Sequence, residues 1–309
     1  MLLCILGPTA VGKTEIAIAV AQKLNAEIIS ADSRQIYRYM DIGTAKPTPC
    51  QQAKVRHHLV DVVDPDERFS AADYQRAADI ATKDIQSRGK RAMLVGGAGL
   101  YFRAVVDGLF DGPGADPEFR TRLRAEAQKF GAEVLHSRLS RVDPESASRI
   151  HPNDLTRVIR ALEVYEKRGK TIADLQKEWN RSSPRYSFIA FGINRERQEL
   201  YKRIEARVDE MLEVGLLKEV KELMARGYDK DLPSMQGFGY KELTDYLEGE
   251  SDWDTAVDLL KRNTRRYAKR QLTWFRNDPR IKWLNLSELD FNAAVQIVVE
   301  ASSKLQNNS

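Results

Sequence analysis

Cysteine is nearly missing from this sequence: the 309 residues contain 2, Cys4 and Cys50. They lie in different contexts without C-x-x-C spacing, so neither a disulfide framework nor a zinc site is indicated. A reducing, cytoplasmic compartment fits best. Long hydrophobic runs are missing too. The first apolar run, Leu2–Leu6, stops at Gly7-Pro8, far short of a signal-peptide core or the ~20 residues of a spanning helix, and no membrane association is expected. An excess of one charge is also absent. The 49 Lys and Arg face 45 Asp and Glu, a net +4 that is too small to prove a nucleic-acid partner. What is present is an ordinary globular composition. With 42% apolar and 30% charged residues, 10 Phe, 11 Tyr and 4 Trp, the chain falls outside the disordered, collagen-like and membrane-spanning classes. Its length accommodates one large domain, two smaller ones, or one domain with an insertion.

Residues 1–111 alternate short apolar runs with helical spacing, the signature of a parallel α/β sheet. Leu2–Leu6, Glu27–Ser30, Leu59–Val63 and Arg91–Val95 are the predicted strands, with helices over Thr14–Leu24 and Ala71–Arg88. Gly96-Gly97 marks a sharp strand-to-helix turn. The Gly- and Pro-rich stretch Gly108–Pro117 ends this unit. An all-helical insertion is expected over 112–187, with the sheet core formed by 1–111 and 188–309. In the insertion, Phe119, Leu123, Ala127 and Phe130 make one apolar stripe. Leu155, Val158, Ile159, Leu162 and Tyr165 make a second behind an Asn153/Asp154 cap, and Ser182-Ser183-Pro184 closes the segment. Phe188–Ile193 reads as a returning strand and Lys282–Leu286 as a short last one. Between them, Leu200, Ile204, Val208, Met211 and Leu212 share a helix face, continued by Val220, Leu223 and Met224. Gln306–Ser309 are expected to fray.

Gly7-Pro8-Thr9-Ala10-Val11-Gly12-Lys13-Thr14 matches G-x-x-x-x-G-K-[ST] directly after an apolar strand and at the start of a helix. The glycines let the backbone curl so that its N–H groups converge as an anion nest. The helix N-terminus adds partial positive charge, Lys13 a full one, and the Thr14 hydroxyl can ligate Mg²⁺. Such a loop binds a pyrophosphate unit, whatever is attached to it; the strand and helix around it argue against a chance glycine-rich turn. The usual companions of an NTPase loop are weak. Gly96-Gly97, not Asp, follows the strand ending at Val95, and no N-K-x-D motif occurs. Asp61 and Asp64 are either metal-coordinating acids or strand ends. Asp32 falls at the carboxyl end of the second strand, on the edge that carries the phosphate loop. It is placed to accept a proton from a nucleophile, or to cap a following helix.

Together these residues resemble one family over nearly the whole chain, the tRNA dimethylallyltransferases, also called tRNA isopentenyltransferases. The resemblance rests on Gly7–Thr14, Asp32-Ser-Arg-Gln-Ile-Tyr37, Met40-Asp-Ile-Gly-Thr-Ala-Lys46, His57-His58-Leu59 and Phe69-Ser-Ala-Ala-Asp73. It continues through Gly96-Gly97 with Leu100-Tyr101, His151-Pro-Asn-Asp154, Arg157–Glu163, Gly239-Tyr240-Lys241 and Ala268-Lys-Arg-Gln-Leu-Thr-Trp-Phe-Arg276. It implies a P-loop NTPase-like core acting as a Mg²⁺-dependent, cytoplasmic and monomeric prenyl transferase. The reaction moves a dimethylallyl group from its diphosphate to N6 of adenosine 37 in the tRNA anticodon arm and releases pyrophosphate.

By that resemblance the phosphate loop, with Lys13, Thr9 and a Mg²⁺ on Thr14, clamps the leaving group, and Asp32 takes the N6 proton. Arg197 and Arg203 are similar to family arginines near the diphosphate. Asp32, Ser33, Arg34, Gln35 and Ala98 match tRNA-contacting positions, as do Arg120, Thr156, Arg157 and Arg160. So do Gln236, Gly239, Tyr240 and Lys241, and Lys269, Arg270 and Arg276. Two positions depart from the family. Ala98 stands where Gly-Gly-Thr is usual, removing a hydroxyl, and Tyr39 stands where a glycine is usual before Met-Asp-Ile-Gly-Thr.

From Lys261 to Lys282 there are nine Lys or Arg and one Asp. Lys261, Arg265 and Lys269 form one i, i+4 column, and Arg262, Arg266 and Arg270 form the next. Leu260, Thr264, Tyr267, Gln271, Trp274 and Phe275 fall on the opposite half. The basic half is either a solvated face or, as the resemblance implies, an RNA-contacting one. The rival readings of the chain are a P-loop small-molecule kinase and a non-catalytic RNA-binding protein.

Overall fold

The computed structural model describes residues 1–110, 112–180 and 183–304. Ser182 and the segment Gln306–Ser309, for which a closing turn and fraying are expected, lie outside the described residues. The chain forms two compact units, Met1–Val106 with Tyr186–Ser309, and Asp107–Arg185. The first begins with β1 (Leu2–Leu6), α1 (Lys13–Leu24), β2 (Ala26–Ala31), α2 (Pro49–Lys54), β3 (His57–His58), α3 (Ala71–Ser87), β4 (Arg91–Gly96) and α4 (Gly99–Val106). The second holds α5 (Pro117–Phe130), α6 (Ala132–Val142), α7 (Pro144–Arg149), α8 (Leu155–Arg168) and α9 (Ile172–Asn180). The chain then adds to the first unit β5 (Phe188–Asn194), α10 (Arg197–Glu213), α11 (Leu216–Ala225), α12 (Tyr240–Leu247), α13 (Trp253–Arg276), β6 (Ile281–Asn285) and α14 (Phe291–Lys304).

The six strands make one parallel sheet in the order β3-β2-β4-β1-β5-β6. β1 lies between β4 and β5, with all five residues buried, because a parallel strand covered on both faces must be apolar throughout. One face packs Ile16, Val20, Ile204 and Val295 over Leu3, Ile5 and Phe191. The other packs Tyr74, Phe102, Val105 and Phe275 over Leu2, Cys4 and Leu94. A third core joins Ile36, Tyr37 and Met40 to Val208, Val220, Tyr240 and Leu260, so four C-terminal helices enclose the segment that follows β2.

Leu59–Val63 is not a strand. The edge strand is the two-residue β3 just before it, because Leu59 and Asp61 take left-handed φ values of 61° and 56° that no ladder accommodates. From this segment, Val63 alone makes an isolated bridge, to Tyr37. In the second unit Phe119, Leu123, Ala127, Val158, Ile159 and Leu162 form the core. Phe130 and Tyr165 turn outward instead, at the last turn of α5 and in the C-terminal half of α8. Asp154 caps α8, accepting the Arg157 N–H at 3.2 Å.

Candidate active site

At the end of β1 the chain curls through Gly7, whose φ of 148° and close approach leave no room for a side chain: a Cβ there would lie 2.5 Å from the Ile193 carbonyl oxygen. Gly12, at φ 103°, sets the entry into α1. Burial pushes the Lys13 ammonium down to about 8, against the opposing pull of the Asp32 carboxylate. Its Nζ donates to the Pro8 carbonyl at 2.6 Å, so the cation sits inside the curve of the loop. The Thr14 hydroxyl makes no hydrogen bond with a described residue and borders two cavities, of about 220 and 320 Å³.

The first cavity has a polar end at Thr9, Lys13, Thr14 and Asp32 and an apolar wall of Ala17, Ile28, Val208, Met211 and Leu216. Asp32 Oδ1 accepts the Arg34 N–H at 2.8 Å and the Gln35 N–H at 3.4 Å. The residues after it form turns rather than a helix. Its Oδ2 makes no hydrogen bond with a described residue, so one oxygen holds the turn while the other is open to a donor.

Among the arginines similar to diphosphate-binding ones, Arg203 Nε donates to the Ala10 carbonyl at 3.0 Å and borders the second cavity. Arg197 instead lies over the Tyr201 ring, 5.2 Å from its centroid, and borders neither cavity. Two further arginines meet the loop. Arg195 Nε donates to the Val11 carbonyl at 3.0 Å. Arg207 borders both cavities beside Lys13 and Thr14, with no hydrogen bond or ion pair to a described residue. Burial lowers its affinity for a proton, with Glu15 and Glu210 acting the other way. The signal for Arg207 is in the sequence: it stands one turn after Arg203, flanking the buried stripe Leu200, Ile204 and Val208.

Gln271, placed by its helical spacing on a packing face, reaches into the site. Its Oε1 accepts the Thr9 N–H at 2.9 Å, and its Nε2 donates to the Gly97 carbonyl at 3.0 Å. A Cβ on Gly97 would fall 2.1 Å from that nitrogen. Thr264 and Tyr267, from the same helix face, also border the cavity. Ala98 donates its N–H to Ala31 at 3.0 Å and packs against the core.

The positions matched to tRNA contacts divide by how freely they are presented. Arg34 Nη1 donates to the Pro233 carbonyl at 2.6 Å, and Gln35 Nε2 to the Thr44 and Ala45 carbonyls; with Ser33 they border the cavity. Gln236 donates to the Lys230 carbonyl at 2.5 Å. The Gly239 N–H goes to Glu242 Oε2. Tyr240 is buried, its hydroxyl donating to Glu219 at 2.7 Å. Lys241, Lys269, Arg270 and Arg276 are exposed. In the second unit, Arg120 and Arg160 both grip the buried Glu163, at 2.7 and 2.6 Å, while Thr156 and Arg157 are exposed.

A phosphate loop at the carboxyl edge of a parallel sheet, opening on an apolar wall with a carboxylate at the junction, defines a P-loop α/β protein whose cavity lies where such sheets take their ligands. The IPP transferase family model matches residues 35–278. The chain is 53% identical over 281 residues to the tRNA dimethylallyltransferase of Thermotoga maritima, covering 91% of each chain. It is 52% identical over 283 residues to tRNA dimethylallyltransferase 2 of Geotalea daltonii, covering 92% of this chain and 87% of that one. Its structure is similar to the full-length tRNA isopentenylpyrophosphate transferase of Bacillus halodurans, with a TM-score of 0.71, 44% identity and 99% of each chain covered. A eukaryotic dimethylallyltransferase caught acting on tRNA matches with a TM-score of 0.79 at 29% identity, covering 99% of this chain and 79% of that one. The chain belongs to the IPP transferase family.

Proposed function

We propose that this enzyme is a tRNA dimethylallyltransferase, moving a dimethylallyl group from its diphosphate to N6 of adenosine 37. The observation that carries the reading is one cavity in which a phosphate loop, an open carboxylate oxygen and an apolar wall meet. The C1–O bond of the diphosphate breaks, its electron pair leaving with pyrophosphate, and a bond forms from N6 to C1. Asp32 Oδ2 takes the N6 proton, as a base within hydrogen-bond reach can. The loop N–H groups, Lys13 and Arg207 meet the charge that grows on the leaving oxygens, where fixed donors lower the barrier most. The apolar wall holds the five-carbon chain and keeps water from the allylic carbon. The kinase and passive RNA-binder readings have no observation in their favour.

Mg²⁺ fits this site in a limited way. Thr14 offers a hydroxyl without a partner among the described residues, and no group of three or more His, Cys, Asp or Glu among them could hold a metal alone. Thr14 with diphosphate oxygens and water would hold the ion, the mode Mg²⁺ favours. Bound so, Mg²⁺ supplies charge neutralisation to the leaving group. No helix among the described residues is long and apolar enough to cross a membrane. A cytoplasmic monomer working on the anticodon arm completes the reading.

Incubating the protein with hypomodified tRNA and dimethylallyl diphosphate, without ATP, is expected to add a dimethylallyl-sized mass to adenosine, read by nucleoside mass spectrometry. Asp32→Asn keeps the turn's acceptor oxygen but removes the base, and is expected to bind tRNA normally while losing about 100-fold or more in rate. Near-normal transfer by this variant would remove Asp32 from its role.

A further inference from the structure

The transfer depends on where Asp32 sits, and Asp32 lies on a turn rather than on a rigid element. We infer that Glu219, on α11 and away from the reacting groups, is a positioning residue for the transfer: it holds the 40–46 loop so that Gln35 and Asp32 keep their places. This rests on the transferase reading above.

The Glu219 carboxylate is buried, and its Oε2 accepts the N–H groups of Asp41 at 2.9 Å and Ile42 at 2.8 Å. Its Oε1 accepts the Gly43 N–H at 3.1 Å and the Tyr240 hydroxyl at 2.7 Å. Three successive backbone N–H groups converging on one anion form a nest, filled here by a side chain of the same protein. With the tyrosine, they use about all the lone-pair positions a carboxylate has. Gly43 is pressed against Tyr240 so closely that a Cβ would lie 2.7 Å from the ring, so loop and α12 form one piece of cavity wall.

From the loop the path runs on to the reacting carboxylate. The carbonyls of Thr44 and Ala45 accept from Gln35 Nε2 at 3.3 and 3.1 Å. Ser30, in β2, donates to Gln35 Oε1 at 2.9 Å, and the Gln35 N–H returns to Asp32 Oδ1. Gln35 is therefore held on one side by the sheet and on the other by a loop that Glu219 anchors at Asp41–Gly43 and Lys46 anchors at its far end, through the Tyr37 carbonyl at 2.9 Å and Asp61 at 2.6 Å. An amide in place of the carboxylate would turn an N–H₂ group towards two donors, leaving at least one buried N–H without a partner. The loop would shift to relieve it, and Gln35 with it.

The test is Glu219→Gln in single-turnover transfer from dimethylallyl diphosphate to an anticodon stem-loop, alone and combined with Asp32→Asn. The single variant is expected to lower the transfer rate about 10- to 100-fold, the scale of a small misplacement at a reacting centre. Half-saturating concentrations of both substrates should rise by less than the transfer rate falls, because the loop and Gln35 line the cavity without touching the reacting atoms. In the Asp32→Asn background the same change is expected to have no further effect, because residues acting as one unit are not additive. Tyr240→Phe removes one of the four bonds and leaves the nest charged. It is expected to fold and to lose about fivefold in rate, the worth of one hydrogen bond, again only when Asp32 is present. A Glu219→Gln rate equal to wild type would overturn the inference. So would a loss that only tracks the unfolded fraction, or one that multiplies in full in the Asp32→Asn background. If Glu219→Gln does not fold, the Tyr240→Phe pair decides by the same comparison. Wild-type protein that transfers nothing would remove the transferase reading itself, which is a different result.

Discussion

Tyr39 adopts φ 66°, a left-handed conformation in which a side chain crowds its own carbonyl, at a position where the family resemblance leads one to expect glycine. The strain is about 1–2 kcal/mol for a residue with a Cβ. The ring recovers part of it, because the Arg226 guanidinium lies 4.2 Å from its centroid, an exposed cation–π contact worth about 0.5–1 kcal/mol. These magnitudes give an unusual order of variants. Tyr39→Ala keeps the strain and loses the contact. Tyr39→Gly loses the contact and relieves the strain, at an entropic cost of about 0.5–1 kcal/mol in the unfolded chain. The glycine variant is therefore expected to be more stable than the alanine variant by about 0.5–1 kcal/mol, the reverse of their usual ranking in a helix or strand. Urea titration of the two variants side by side measures it. An alanine variant at least as stable as the glycine one would show that the turn does not hold that conformation in solution.

Among the elements, α13 shows where periodicity informs and where it stops. Its i, i+4 columns are legible in the sequence, and Arg262, Arg266 and Arg270 are exposed as the spacing requires. The neighbouring column is mostly closed instead. Lys261 pairs with Asp209 at 2.6 Å and Arg265 with Glu205 at 2.5 Å, both on α10. Changing Arg262, Arg266 and Arg270 together to Gln is expected to weaken tRNA binding and flatten its log–log salt slope by about 2–3, at roughly 0.7–0.9 per lost phosphate contact. Gln at Lys261 and Arg265 should leave the slope within about one unit. Filter binding across a salt series checks both, and equal slopes for wild type and the triple variant would mark the face as merely solvated. The same contrast explains what else could be read in advance. β1 and the phosphate loop combine a continuous apolar run with a motif, two local signals that agree. β3 has two residues and no pattern of its own, and the apolar run Leu59–Val63 beside it carries the stronger strand signal. α2 begins at a Thr48–Gln51 capping box with Pro49, a signal carried by local sequence alone. Arg207 carries a local signal, one turn after Arg203 on α10, but Gln271 enters the site only because α13 packs against the loop, which spacing along a single helix does not express.

On the scale of the molecule, the two units keep their own cores, and the helical one is organised around a charge. Glu163 is fully buried on α8 and accepts from Arg120 at 2.8 and 2.7 Å, from Arg160 at 2.6 Å and from the Asp116 N–H at 2.7 Å. Burial alone would raise its affinity for a proton. The two arginines and the Asp116 N–H outweigh that and hold its carboxyl at about 2. Because this folded value lies below the ~4.3 of an unfolded glutamate, the ionised carboxylate contributes its full stabilisation above about pH 4.3 and loses it as pH falls towards about 2. Glu163→Gln leaves two half-buried cations without their counter-ion, and is expected to destabilise Asp107–Arg185 by about 3 kcal/mol at neutral pH, the scale for breaking a buried pair. The gap between wild type and variant should then shrink steadily as pH falls from about 5 to about 2, since protonation discharges the wild-type carboxylate as the substitution does. Amide hydrogen exchange resolved to the α5 and α8 core follows this unit separately from the sheet. A gap that stays constant over that pH range would mean that Glu163 acts through its shape and packing, and that Arg120 and Arg160 are held by something other than its charge.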